Sequence, residues 1–358
     1  MSKKTAVLLF GGASSEHEIS CLSAACWAEN LDKSLYHLYC VGITKQGQWL
    51  LFQGEPQSIK DGSWINGDTT PCILSPDATH KGLILLKDTP TILSVDVVLP
   101  ILHGKNGEDG SIQGLLQLSG IPYVGCNVLS SAVCMDKAVA NTLLDAAGIA
   151  RCRWHWEWGH YALQHFEELY PLLETKLGWP IFVKPANAGS SVGISKAHNK
   201  TELLQAIQLA YQEDDKIVFE EFIQGQEVEC AVIGNQNPTS TFPGEVLATQ
   251  EFYTYEDKYI NGTSRTQIPA NLSVQQLEEI QQQAVKAYQA LGCQGLTRAD
   301  FFVEKSTQRI LVNELNTLPG FTSISMYPQL MAHYGTPLPQ LLNQLIDLAI
   351  ERVAKHHG

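Results

Sequence analysis

The chain has 358 residues, 44% of them hydrophobic and 17% charged, an ordinary globular balance with enough material for two or three domains. Its net charge of −13 argues against nucleic acid or an anionic membrane as partner, since both need a broad basic surface, but leaves room for a small anionic ligand held by local lysines. Nine scattered cysteines with no CxxC pair point to reduced thiols in a cytoplasmic protein.

The start, "TAVLLF", reads as a buried strand. Its apolar run ends at Phe10 with no small-residue cleavage pattern, unlike a signal peptide. After "GGASS", Ser14 or Ser15 is expected to cap a helix running to about Asn30, with Ile19, Leu22 and Cys26 on one side. "LYHLYCVGITKQGQWLLF" predicts two strands, residues 54–90 predict loops, and "ILSVDVVLPILHG" a buried strand ending in a Gly-rich loop. "SIQGLLQLSG" is a short helix stopped by Gly120, and "IPYVG" another strand. This alternation predicts an open, largely parallel α/β sheet over residues 1–126.

Beyond residue 126, "VLSSAVCMDKAVANTLLDAAG" is helical and "RCRWHWEWGHY" reads as a packing loop. "WPIFVKPANAGSSVGISK" gives strand, glycine-rich loop and strand. "TELLQAIQLAYQ" is an amphipathic helix, and "KIVFEEF" and "EVECAVIG" are strands. A Ser273/Gln276 capping box opens a helix that Gly292 closes. A hairpin over Ala299–Val303 and Arg309–Leu315 follows, then a final amphipathic helix, "LPQLLNQLIDLAIERV".

Five stretches carry possible chemistry. The apolar hairpin gathers Asp300, Glu314 and Asn316 at one end, all hard oxygen ligands suited to Mg²⁺ shared with phosphate; a solvated strand end is the plain alternative. Lys184 precedes a loop with Gly189, Ser190, Ser191 and Gly193, whose backbone N–H groups could approach phosphate, though such loops are more often simple turns. It is not a Walker A loop. Glu220, Glu221 and Glu227 surround a strand end that could meet adenine and ribose, or form an acidic edge. His103 ends a buried strand, where a lone histidine is more often structural. "FYTYEDKYINGTSRTQIPA" suits a lid over a site or an exposed loop.

The order of Lys137, Lys184 with its loop, the "EE" strand and the Asp…Glu-x-Asn hairpin resembles the ATP-grasp superfamily. "GGASSEHEIS", "LHGKNGEDGSIQG", "CMDK", "FVKPANAGSSVGISK", "FYTYEDKY" and "NELNTLPGFTSISMYP" together resemble the D-alanine–D-alanine ligase family, over nearly the whole chain except 54–90 and 151–176. The resemblance implies an N-terminal α/β substrate domain (1–126) followed by an ATP-grasp fold of two α+β subdomains (127–215 and 216–358). It implies an ATP-dependent ligase making D-alanyl-D-alanine through an acyl phosphate, in a cytoplasmic homodimer.

It also implies roles. Asp300, Glu314 and Asn316 hold two Mg²⁺ or Mn²⁺ ions. Lys137, Lys184 and Lys258 contact phosphate, with Ser190 and Ser191 in the loop. Glu220 and Glu227 hold the adenosine with Phe222 near the base, and Glu221 and Phe252 also bind ATP. Glu16 receives the first substrate's ammonium, and His103 sits at a substrate carboxylate. Ser190 and Tyr259 tie the lid over the site. Arg298 and the Gly320 N–H stabilise an oxyanion, and Ser325 and Met326 form the second substrate's pocket. Thr297 departs from the family pattern, where a smaller residue is expected. Two alternatives stay open: a variant ligase using D-lactate or D-serine, against which "YEDKY" and "SISMYP" argue, and a non-catalytic nucleotide-binding regulator.

Overall fold

The computed structural model describes residues 3–189, 192–247, 265–322 and 324–354. Its first sheet has seven strands: β1 (Lys4–Gly11), β2 (Tyr36–Ile43), β3 (Trp49–Gln53), β4 (Asp68–Leu74), β5 (Gly82–Leu85), β6 (Thr91–Ser94) and β7 (Val97–Pro100), in the order β6-β5-β4-β3-β2-β1-β7. The parallel core is β2-β1-β7; β1 and β7 carry near-continuous apolar runs buried on both faces, as a covered parallel sheet requires, while the first half of β2 is half-buried with His37 exposed. "IPYVG" joins it only through a bridge from Tyr123 to Val98. The other strands form an antiparallel meander. Residues 54–90, expected as loops, supply β4 and β5 and a short helix, α2 (Pro56–Lys60); these elements are too short to show a clear period.

Helix α1 (His17–Asn30) begins one residue after Glu16, which occupies the N-cap. The Ser14 hydroxyl does not cap the helix but accepts the Glu16 backbone N–H at 3.1 Å. Small residues, Ser20, Ser23, Ala24 and Ala28, bury α1 closely, while Leu22 and Cys26 are only half-buried. Helix α3 (Ser111–Ser119) ends at Gly120, left-handed at φ 66°.

The stretch expected as one helix after residue 127 is two: α4 (Val128–Met135) and α5 (Lys137–Ala146). Asp136 breaks it, leaving the helical region so that its carboxylate accepts the N–H groups of Ala138 and Val139 at 3.0 and 3.1 Å. Lys137 thereby becomes the first residue of α5.

The second sheet is antiparallel, ordered β10-β9-β11-β8 from β8 (Trp154–Trp158), β9 (Ile181–Pro185), β10 (Ser195–Ala197) and β11 (Lys216–Glu221). It is backed by α6 (Gly159–Gln164), α7 (Phe166–Leu177) and α8 (Lys200–Glu213). The tryptophan run is therefore an edge strand rather than a loop. Its Trp154 Nε1–H donates to Asp145 at 2.8 Å, and Trp156 and Trp158 flank the Lys216 ammonium at 5.5 and 5.7 Å.

The third sheet holds β12 (Gly225–Gly234), β13 (Thr239–Ser240), β14 (Gly244–Leu247), β15 (Arg265–Gln267), β16 (Gly295–Glu304) and β17 (Ile310–Asn316). Helix α9 (Val274–Ala290), opened by the Ser273/Gln276 capping box, covers one face with Leu277, Ile280 and Ala284. Helices α10 (Met326–His333) and α11 (Leu338–Ala354) return to the first sheet, and one core unites Phe10 and Leu99 with Leu342 and Ile346. Arg352 on α11 donates to the carbonyls of Tyr123 and Gly125 at 2.7 and 2.6 Å, fastening the end of the chain to the end of the N-terminal region.

Candidate active site

One face of the third sheet carries the acid-and-amide hairpin. Arg298 pairs with Asn316 and Asp300 with Glu314, and the register then shifts so that Phe301 faces Val312. Asn313 is the extra residue of this bulge. Without it, strict alternation would turn Glu314 to the side of Val312, which lies in the α9 core. The bulge puts Glu314 and Asn316 on the cleft side beside Asp300. β12 runs along the other edge of β16, with Glu229 opposite Asp300 and Glu227 opposite Phe302, while Val228 and Cys230 point to the core. Glu229 is a site residue that the sequence reading passed over; its signal was the two-residue spacing from Glu227.

The charges on this face are already knitted together. Arg298 donates from Nε and Nη2 to the Asp300 carboxylate at 2.7 and 2.6 Å, and Asn316 Nδ2 donates to Asp300 Oδ2 at 2.9 Å. Arg298 Nε also lies 3.0 Å from Glu229 Oε2. The donor set fits a divalent cation of the Mg²⁺ type: two carboxylates and an amide oxygen, all hard, on one face with acid on the neighbouring strand. Among the described residues no three His, Cys, Asp or Glu side chains form a ready metal cluster, so the amide and the ligand's own oxygens would have to complete the shell.

On the second sheet, Lys184 of β9 and Glu220 of β11 form a buried pair at 2.5 Å. Burial works against charge on both. Their mutual attraction overcomes it, raising the lysine and holding the carboxyl below its usual range. Glu314 adds to the field on Lys184 and Lys137 to that on Glu220, so the two sheets and α5 converge on one charged zone. Lys137 Nζ donates to the Ala188 carbonyl at 2.8 Å, anchoring it at the glycine-rich loop. Phe222 sits 5.9 Å from Phe182, with the Lys196 ammonium 3.9 Å above the Phe222 ring. Glu221 points the other way, to Arg153, whose backbone N–H and Nε donate to it at 2.7 and 2.6 Å. Its side chain therefore does not join Glu220. Glu227 is exposed at the start of β12.

The N-terminal wall is made of loops. A Cβ on Gly189 would stand 2.9 Å from Glu16 Oε1, and one on Gly104, at φ 70°, would stand 3.2 Å from Oε2. The left-handed φ at Gly104 favours glycine, and the missing side chain at both positions leaves room for this carboxylate. His103 is buried, and burial lowers its pKa although Glu16 opposes the shift. Its Nδ1–H donates to the Leu318 carbonyl at 3.0 Å, which leaves Nε2 to accept from the Ser23 hydroxyl at 3.0 Å. Ser23 Oγ in turn accepts the Phe321 N–H at 3.3 Å. Both ring nitrogens thus join α1 to the loop carrying Gly320. Glu108, also overlooked in the sequence, lines the cleft. Burial, then the Glu16 charge, push its carboxyl up to about 8, while the Gly104 N–H donates to it at 2.7 Å.

At the far end Ser325 precedes α10. Its hydroxyl accepts the Thr322 N–H at 3.0 Å, and Ser325, Met326 and Gly320 line the same cleft as Glu16, Lys137, Arg298 and Glu314. Ser190, Ser191, Phe252, Lys258 and Tyr259, and with them most of the expected lid, lie outside the described residues.

Two α+β sheets converging on lysines, beside a metal-capable hairpin, define the ATP-grasp class of protein. The family profile described as "D-ala D-ala ligase N-terminus" matches residues 5–126, and that described as "D-ala D-ala ligase C-terminus" matches residues 143–347. The chain is 47% identical to a D-alanine--D-alanine ligase of Caldicellulosiruptor bescii, covering 98% of this chain and 96% of that protein. It is 44% identical to one of Clostridium acetobutylicum, with 98% and 99% covered. Among solved structures it resembles the VanG D-Ala:D-Ser ligase of Enterococcus faecalis (TM-score 0.88, 38% identity, 97% of this chain and 100% of that one). It also resembles the D-alanine-D-alanine ligase of Coxiella burnetii (TM-score 0.87, 36% identity, 100% and 97%). The chain belongs to the D-alanine–D-alanine ligase family. Among the described residues no helix is long and apolar enough to cross a membrane.

Proposed function

We propose that the protein is an ATP-dependent ligase that joins two D-alanines into D-alanyl-D-alanine, releasing ADP and phosphate, for peptidoglycan precursors. The observation that carries this reading is the cleft itself: Lys137, Arg298, Glu314 and the Gly320 loop face one another in a chain of this family.

A carboxylate is a poor acyl donor because expelling oxide is uphill. Phosphoryl transfer from ATP turns one oxygen of the first D-alanine's carboxylate into a phosphate leaving group. Lys184, kept charged by Glu220, and Lys137, anchored at Ala188, neutralise charge spread over the phosphates. Asp300, Glu314 and Asn316 would hold Mg²⁺, which when bound supplies further positive charge at the phosphate oxygens. Glu16 receives the first D-alanine's ammonium between the Gly104 and Gly189 turns. Ser325 and Met326 hold the second, whose neutral amine attacks the acyl carbon. Arg298 and the Gly320 N–H stabilise the oxyanion as it forms, and phosphate departs as the amide bond closes. Phe222 and Glu220 face the adenosine. Ser190, Ser191, Phe252, Lys258 and Tyr259 are proposed to close the site against water, which would otherwise hydrolyse the acyl phosphate. We further propose a division at residues 126 and 215, a cytoplasmic location and a homodimer, on the family pattern.

The test is phosphate release from ATP against a panel of D-amino acids. Release that rises with D-alanine, with dipeptide found by mass, supports the reading. Nucleotide binding without D-alanine-dependent release would make the protein a regulator instead.

A further inference from the structure

Arg298 has carboxylates on two sides. Asp300, two residues along β16, accepts Nε–H at 2.7 Å on Oδ1 and the Nη2 proton at 2.6 Å on Oδ2; Asn316 Nδ2 also donates to Oδ2. Glu229 reaches across from β12, opposite Asp300 in register and with its side chain only 12% exposed. Its Oε2 lies 3.0 Å from Nε, yet off the direction of the N–H, which points to Asp300.

Asp300 thus has both oxygens committed to the guanidinium. The reading above asks the same carboxylate to ligate a divalent cation, and this inference rests on that reading. Two cations cannot share those lone pairs at full strength, and their like charges repel. When Asp300 turns to the metal, Arg298 gives up the two hydrogen bonds that Asp300 accepts from it. The Nε–H then calls for another acceptor on this face. Glu229 is already at contact distance, on the rigid neighbouring strand, and a small rotation of the N–H completes a charge-assisted hydrogen bond.

We propose that Glu229 is the positioning residue of Arg298 in the loaded enzyme, taking over the guanidinium when Asp300 engages the divalent cation. Its action falls on amine attack, where the oxyanion forms, and not on phosphoryl transfer. Acyl phosphate that is made but not captured goes to water.

The test uses Glu229→Gln, which keeps the shape and removes the charge, with Arg298→Lys alongside. In Glu229→Gln, dipeptide kcat is expected to fall about ten- to a hundredfold, the scale of losing a residue that orients a functional group. KM for ATP is expected to stay within about twofold, since ground-state binding is not what is lost. The ratio of phosphate released to dipeptide formed should rise above one. The second readout is the arginine Nε–H signal in ¹⁵N NMR, assigned to Arg298 by its loss in Arg298→Lys. In the parent it is expected to stay sharp with and without Mg²⁺·ADP. In Glu229→Gln it should be sharp without the metal nucleotide and broadened with it. A ratio that stays at one, or a signal in Glu229→Gln indifferent to Mg²⁺·ADP, overturns the proposal. Parent-like turnover by Arg298→Lys would remove the oxyanion role of Arg298, and the Glu229 role with it; that outcome is separable because it appears in a different variant.

Discussion

The two walls of the cleft hold their charges by different means. The strand wall of β12, β16 and β17 sets Glu229, Arg298, Asp300, Glu314 and Asn316 by register, so their spacing is that of a pleated sheet with one bulge. The loop wall sets Glu16, His103 and Glu108 by close approach, with glycine turns and backbone donors doing the work of register. On the strand wall Asp300 and Glu229 both meet the Arg298 guanidinium, and Glu314 adds to the field on Lys184. On the loop wall burial acts on groups with few counter-charges, pushing Glu108 up and His103 down toward neutral forms. In the proposed reaction the strand wall would receive cations and phosphate, and the loop wall would enclose a small zwitterion.

The contrast breaks first on the strand wall. Glu314→Gln keeps the shape but removes one of the two carboxylates proposed to hold the metal. Turnover should fall at least about a thousandfold, the upper range for losing a single preorganised electrostatic group, with the circular dichroism spectrum unchanged. Near-normal activity would remove the metal assignment.

On the second sheet, Lys184→Met removes the charge proposed to face phosphate and leaves Glu220 buried without this partner. A loss in kcat of about a hundredfold is expected, together with a lower Tm, because an uncompensated buried charge is costly. If only the Michaelis constant for D-alanine moved, Lys184 would belong to the amino-acid site.

The smallest effect sharpens the loop wall. Burial, then the Glu16 charge, push the Glu108 carboxyl up from its ordinary 4.5 to about 8. Between those values the unfolded chain binds fewer protons than the native one, so this group's contribution, full below about 4.5, is lost as pH rises toward 8. Glu108→Gln cannot ionise. Its Tm should gain on the parent by about 1–3 °C between pH 5 and pH 8, measured by thermal scans. Parallel curves for the two proteins would show that Glu108 is not held neutral.

The strand wall was the more legible in sequence, and the reason is local. A charge inside an apolar strand is conspicuous, so Asp300, Glu314 and Asn316 stand out from their neighbours. What the pattern hides is the bulge at Asn313, a change of parity that no residue type announces. Glu229 was hidden because "EVECAVIG" reads as an acidic strand start until β16 is laid beside it. The loop wall depends on contacts between distant segments, such as His103 with Ser23 and Leu318, which leave no spacing to read. Asp136 shows a third kind of concealment: the helical pattern runs straight through it, yet its backbone leaves the helical region to end one helix and its side chain caps the next. The tryptophans at 154, 156 and 158 did carry a period-two signal of a strand, masked by their unusual bulk.

The most direct measurement of the central claim is a competition. The purified protein is given ATP, Mg²⁺ and equal D-alanine and D-lactate at neutral pH, with a parallel arm in which D-serine replaces D-lactate, and products are separated by mass. The predicted result is D-alanyl-D-alanine as the main product in both arms, rising as pH moves into mild alkali because the attacking amine must be neutral. A main product carrying D-lactate or D-serine would contradict the specificity drawn from Ser325 and Met326, and no condensation at all would contradict the ligase itself.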